Sequence, residues 1–216
     1  MASARRIMIV GNGDVGAEAA AVIDAGDLVI RFNGSRNFGA AGKRTDVVAV
    51  CNTGRPGAQM LADPLWRDSE AVSAAREIWS IRDPEKFARL QPVLAVSHPE
   101  LDDFCDDYTI GFAQFAAARD KQHRVIPGAV HEALDATLST YRPAPYVVPS
   151  SGMLVIQALL SDPKFDDALL VLAGFGHGGW EWHPFDAERQ FADHLVQSGR
   201  LVRLDTLLQS SLSQGA

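Results

Sequence analysis

No apolar run in this sequence approaches the roughly 20 residues that a bilayer-spanning helix needs. Near the start, Arg5-Arg6 precedes Ile7-Met8-Ile9-Val10, but these four apolar residues before Gly11 are too few for the hydrophobic segment of a secretory leader. Cysteine is scarce. Cys51 and Cys105 match no metal or redox spacing, which argues against a disulfide framework and implies reduced thiols in a cytoplasmic protein. Basic charge is also short: 20 Lys and Arg stand against 27 Asp and Glu, a net charge of −7. That balance supplies no field for nucleic-acid phosphates or anionic lipid, so neither partner is expected. Repeats, low-complexity tracts and long linkers are missing too. What remains is a chain with 47% hydrophobic and 22% charged residues, enough to build a core. Its 216 residues suit one domain spanning residues 1–216.

Short β-rich runs alternate with longer helix-compatible stretches, the pattern of βαβ units. The predicted strands are Ile7–Val10, Leu28–Phe32, Val47–Val50, Ile78–Ile81, Val93–Val96 and Ala168–Ala173. The predicted helices are Ala17–Ala25, Leu101–Ala118, Val130–Thr140, Ser151–Leu160 and Ala187–Gly199. Together they predict a Rossmann-like α/β fold, a mostly parallel sheet with helices on both faces. The proline-rich segment Tyr141–Pro149 disfavours helix and reads as an extended crossover, not a domain boundary.

Gly11-Asn12-Gly13-Asp14-Val15-Gly16 fits G-x-G-x-x-G between an apolar strand and an alanine-rich stretch. Glycines there allow a tight turn and close approach of a phosphate, with a helix N-terminus to stabilise it. A nicotinamide dinucleotide site would usually carry an acid at the end of the second strand; this one ends in Arg31-Phe32-Asn33. Arg31 keeps an NADP enzyme open as an alternative, through recognition of a 2′-phosphate. A turn without any ligand also remains open.

Residues 7–50, with Gly11, Asn12, Ile23, Asp24, Arg31, Asn33, Gly42, Arg44 and Thr45 in order, resemble the large sialyl motif of the sialyltransferases of glycosyltransferase family 29. Pro149-Ser150-Ser151-Gly152, followed by an apolar helix and a strand ending Gly174-Phe175, is similar to the small motif. Residues 183–188, from His183 to Glu188, have the H-x-x-x-x-E form of the very small motif. The family's motif cysteines have no counterpart here, and His177-Gly-Gly-Trp180-Glu-Trp182 does not match its third, aromatic motif.

The resemblance implies a metal-independent, inverting glycosyltransferase that takes a CMP-activated sugar as substrate and needs no other cofactor. His183 would be the general base and Glu188 its orienting partner. Gly11, Asn12, Gly13, Asn33, Ser150, Ser151, Gly152 and Gly174 would form the nucleotide site. His177, Trp180 and Trp182 form a glycine-flanked loop that reads equally as a stacking surface for the ligand or as an apolar plug. His123, His131 and His194 are assigned to the surface without a role.

The segments CNTGRPG, IRDPEKF and SHPELDDFCDDY resemble those of short bacterial proteins of the urease operon accessory group. This second resemblance implies urease-related protein partners and a non-enzymatic accessory role, in binding a nucleotide or a metal, as the alternative function. His98, Glu100, Asp102, Asp103, Cys105, Asp106 and Asp107 include the ligand types of a nickel site, but acids near a helix start usually face water, so no metal site is assigned.

Overall fold

Strands covered on both faces must be apolar at nearly every position, which is how Val47–Val50 is written, with all four residues buried. A computed structural model describes residues 5–213. In it β1 (Arg6–Val10), β2 (Leu28–Phe32), β3 (Val47–Val50), β4 (Glu77–Ser80), β5 (Gln122–Val125), β6 (Leu169–Ala173) and β7 (Leu201–Arg203) form one sheet in the order β5-β4-β3-β2-β1-β6-β7. Every pairing is parallel, so the fold is a Rossmann-like single-domain α/β structure.

Side-chain alternation along the strands builds a separate core on each side. Ile7, Ile9, Ile30 and Leu170 face α7 (Gly128–Ser139), α8 (Ser151–Leu160) and α9 (Phe185–Gln197). Met8, Val10, Val29 and Val171 face α1 (Ala20–Asp24) and α10 (Leu204–Ser213). Farther along that second face, Val48, Val50 and Ile78 pack against α2 (Gly54–Ala62), α3 (Pro64–Arg67), α4 (Glu70–Ala74) and α6 (Thr109–Ala117). A satellite cluster joins α5 (Pro84–Ser97) to Phe104, Cys105 and Val148. No helix among the described residues is long and apolar enough to cross a membrane.

Several expectations need correction. Val93–Val96 is no strand but the end of α5, which Asp83 caps by accepting from Lys86 N at 2.8 Å. Leu94 is buried while Val93 and Val96 are 59% and 86% exposed and Ala95 is exposed as well, so the apolar run is one helical turn with a single inward residue. The edge strands β5 and β7 were not foreseen. β5, Gln-His-Arg-Val, has no buried residue, and β7 is only three residues long. The long helix expected over Leu101–Ala118 is a 3-10 turn, Pro99–Leu101, an irregular stretch and then α6, whose start is set by Asp107 accepting from Thr109 N at 2.9 Å. His131, expected at the surface, is fully buried on α7.

Candidate ligand site at the strand reversal

Strand order reverses between β1 and β6, the place where open α/β sheets form a crevice beyond the carboxyl ends of their strands. Val10 pairs with Ala173, so Gly11 and Gly174 leave the sheet side by side. Gly11 N donates to Ala173 O at 2.8 Å and Gly13 N to Gly174 O at 3.0 Å. A Cβ on Gly11 would lie 2.4 Å from Gly174 O, and Gly174 has φ +67°. The glycines therefore let two loops touch, and the Gly11 and Gly13 amides are committed to that contact instead of pointing free at a phosphate. Asn37, which sequence reasoning missed, locks the turn by donating from Nδ2 to Gly11 O at 2.8 Å and Gly13 O at 2.6 Å.

The two expected asparagines act differently. Asn12 is a brace between loops: Nδ2 donates to Phe32 O at 3.1 Å and Oδ1 accepts from Arg36 N at 2.9 Å. Asn33 adopts φ +49°, a left-handed conformation that asparagine tolerates. Its Oδ1 accepts from Cys51 N at 2.8 Å, which leaves the Nδ2 donors available to the cleft.

Arg31 does not face this cleft as a phosphate receptor. It is 1% exposed and donates to Ala41 O at 2.8 Å, Gly42 O at 2.9 Å and Arg44 O at 3.1 Å, so it organises the loop after β2. Burial lowers its pKa, with Asp24 acting in the opposite direction. The NADP alternative loses the residue that motivated it.

Across the cleft, Ser150 caps α8, with Oγ accepting from Met153 N at 3.4 Å. Its amide and hydroxyl both donate to Glu188, at 2.6 and 2.7 Å. Glu188 is 1% exposed; burial raises its carboxyl pKa, and the two Ser150 bonds pull it back down. Glu188 is therefore the anchor of the Ser150 turn and does not orient His183, which corrects the role expected of it. With the Ser150 hydroxyl occupied, Ser151 offers the hydroxyl that lines the cleft.

His183 Nδ1 lies 2.7 Å from Val148 O. A carbonyl only accepts, so Nδ1 carries the hydrogen and Nε2 the lone pair. Trp180 and Phe185 meet the imidazole ring edge-on, with centroids 5.0 and 5.4 Å away. Burial lowers its pKa; the Val148 bond raises it and Arg82 lowers it further, a balance that favours the neutral base. Trp180 also stacks on Phe104 at 5.2 Å, making it a wall of the cleft.

These elements enclose a cleft of about 500 Å³, lined by Gly11, Asn12, Gly13, Asn33, Ser150, Ser151, Gly152, Gly174, His183 and Glu188. Sequence reasoning did not anticipate Arg36 or Phe175 in its lining; His177 and Trp180, of the aromatic loop, line it as well. His177 has φ +45° and a buried Nε2 without a hydrogen bond. A second cavity of about 380 Å³ adjoins the cleft, and Asn33, Ser151, Trp180 and His183 line both. The residues from His98 to Asp107 are dispersed. His98 meets Ser97 and Trp182, Asp103 pairs with Arg55 at 2.6 Å, and Asp107 accepts from Thr109 N at the start of α6. Among the described residues no group of three or more His, Cys, Asp or Glu could hold a metal ion.

No protein-family model matches the sequence. The crystal structure of a mammalian sialyltransferase superposes with a TM-score of 0.55 at 18% identity, over 93% of this chain and 69% of that one. At that identity the likeness is one of fold. The urease operon 23 kDa accessory protein of Rhizobium meliloti (strain 1021) is 54% identical over 216 residues, spanning 100% of both chains. The chain belongs to the family of that urease operon 23 kDa accessory protein.

Proposed function

We propose that the cleft binds a CMP-activated sugar and that the protein transfers the glycosyl group to an acceptor hydroxyl with inversion. The observation that carries this reading is His183. Its Nδ1 hydrogen is fixed on Val148 O, its Nε2 has no hydrogen-bond partner among the described residues, and its ring lines both adjoining cavities. In the reaction, Nε2 takes the acceptor hydroxyl proton as the new oxygen–carbon bond forms at the anomeric carbon. The bond from that carbon to the donor phosphate breaks, and CMP leaves with the electron pair. Ser151 and Gly152, at the N-terminus of α8, and the exposed Arg36 line the cleft where negative charge on the phosphate would gather. Asn33 Nδ2 is a further donor toward the nucleotide.

The accessory-protein family supports a second reading, in which the scaffold binds a nucleotide or a metal and serves urease-related proteins without turnover. Calorimetric titration with CMP, paired with an assay of CMP release from CMP-sugars over an acceptor panel, separates the two. The transferase reading requires CMP binding and turnover that depends on His183. CMP binding without turnover would leave the accessory reading.

A further inference from the structure

The second cavity contains a cation with no anion to match it. Arg82 is 8% exposed and forms no ion pair among the described residues. Its one side-chain hydrogen bond runs from Nη1 to Thr53 Oγ1. The guanidinium lies over Phe104 at 4.2 Å and Phe87 at 5.0 Å, contacts that offset only part of the cost of removing a charge from water. Of the acids lining the cavity, Asp103 is held by Arg55 at 2.6 Å and Glu100 is exposed with no contact to Arg82.

The position is also held rigidly. Buried Asn52 grips the Arg82 backbone on both sides, with Oδ1 accepting from Arg82 N at 2.8 Å and Nδ2 donating to Arg82 O at 2.9 Å. The amide of Asn52 is itself tied to Thr109 Oγ1 at 2.6 Å. The network fixes the Arg82 backbone, and Thr53 with the Phe87 and Phe104 rings places its unpaired guanidinium, which together give the preorganisation an anion receptor needs. Arginine suits the task because its planar fork matches carboxylate and phosphate oxygens.

We propose that this cavity is an anion-binding site in which Arg82 receives a carboxylate or phosphate group of a ligand. The site stands on Arg82 and its supports and does not depend on the transferase reading. If that reading holds, the cavity selects an acceptor bearing an anionic group, since His183 lines the shared boundary.

The test follows the Arg82 Nε–H resonance of the wild-type protein by nuclear magnetic resonance while inorganic phosphate or acetate is added. A saturable shift at Arg82, with an apparent Kd of about 1 mM or tighter, is expected with at least one of the two anions. Which anion saturates identifies the group the site takes. Sodium chloride at matched ionic strength should produce no saturable shift. In parallel calorimetry, Arg82→Gln should weaken binding about 10- to 100-fold and Arg82→Lys should retain part of it, with thermal melts checking that both fold. The proposal is overturned if neither anion gives a saturable wild-type shift, if chloride reproduces the shift, or if only Arg55, the other arginine lining the cavity, responds. CMP titration of the same sample reports separately on the cleft, so failure there leaves this site standing.

Discussion

His131 makes stability depend on pH in a way that can be calculated. Its ring is 0% exposed, and Nε2 lies 2.9 Å from Ile81 O, so that nitrogen carries the hydrogen. Nδ1 is buried with no hydrogen-bond partner among the described residues, so a proton placed there would find no acceptor among them. Burial drives the pKa down to about 4, Lys86 pushes the same way, and the Ile81 bond with Asp135 and Asp83 opposes. In the unfolded chain the value is about 6.5. As pH falls the unfolded state takes up the proton first, so stability is whole above about pH 6.5 and is lost as pH falls toward about 4. Near pH 4.5 the loss should reach roughly 2.5 kcal/mol, at about 1.36 kcal/mol per pKa unit. His131→Gln keeps a donor for Ile81 O but cannot take up a proton. Urea denaturation of both proteins at about pH 7.5 and 4.5 should show the wild type losing ~2–3 kcal/mol more than the variant over that interval. Burial also depresses His123, His177 and His183, but those contributions are common to both proteins and cancel. Equal losses in the two proteins would refute the reasoning.

Gly11→Ala places a methyl 2.4 Å from Gly174 O, a backbone atom that cannot rotate away, and should destabilise the protein by about 1–3 kcal/mol in denaturant melts. Glu188→Gln leaves one Ser150 donor without its acceptor, at a cost of about 1–3 kcal/mol. Because Glu188 is absent from the balance that sets the His183 pKa, the His183 imidazole titration followed by nuclear magnetic resonance should not move in that variant.

The central strands were legible because both of their faces are covered, which leaves nearly every position of β1, β2, β3 and β6 apolar. That signal fails at the sheet's edges, where β5 and β7 have fewer covered positions. It misleads at Val93–Val96, where a helical turn with an outward apolar side imitates a strand. At the cleft, local order indicated which residues stand near the strand reversal, since glycine turns, a serine cap and a histidine each leave a short pattern. Their tasks depend on partners distant in sequence. Nothing near Gly11 shows that its amide belongs to Ala173, and nothing near Glu188 shows that Ser150 occupies both of its oxygens. Arg82 could not be singled out from its own segment, because its isolation is defined by Thr53, Phe104 and an Asp103 that pairs with Arg55 instead. His131 was misjudged for a related reason: it shares α7 with exposed polar residues, and only the packing of that helix shows which side it takes.

The most direct test of the proposed function measures CMP affinity by calorimetry, and CMP release from a CMP-sugar, for the wild type and His183→Ala. CMP should bind more tightly than AMP or NADPH, and the substitution should leave that affinity nearly unchanged while turnover falls by about 10²- to 10⁴-fold. Tighter binding of NADPH than of CMP, or turnover that survives the loss of His183, would contradict the account.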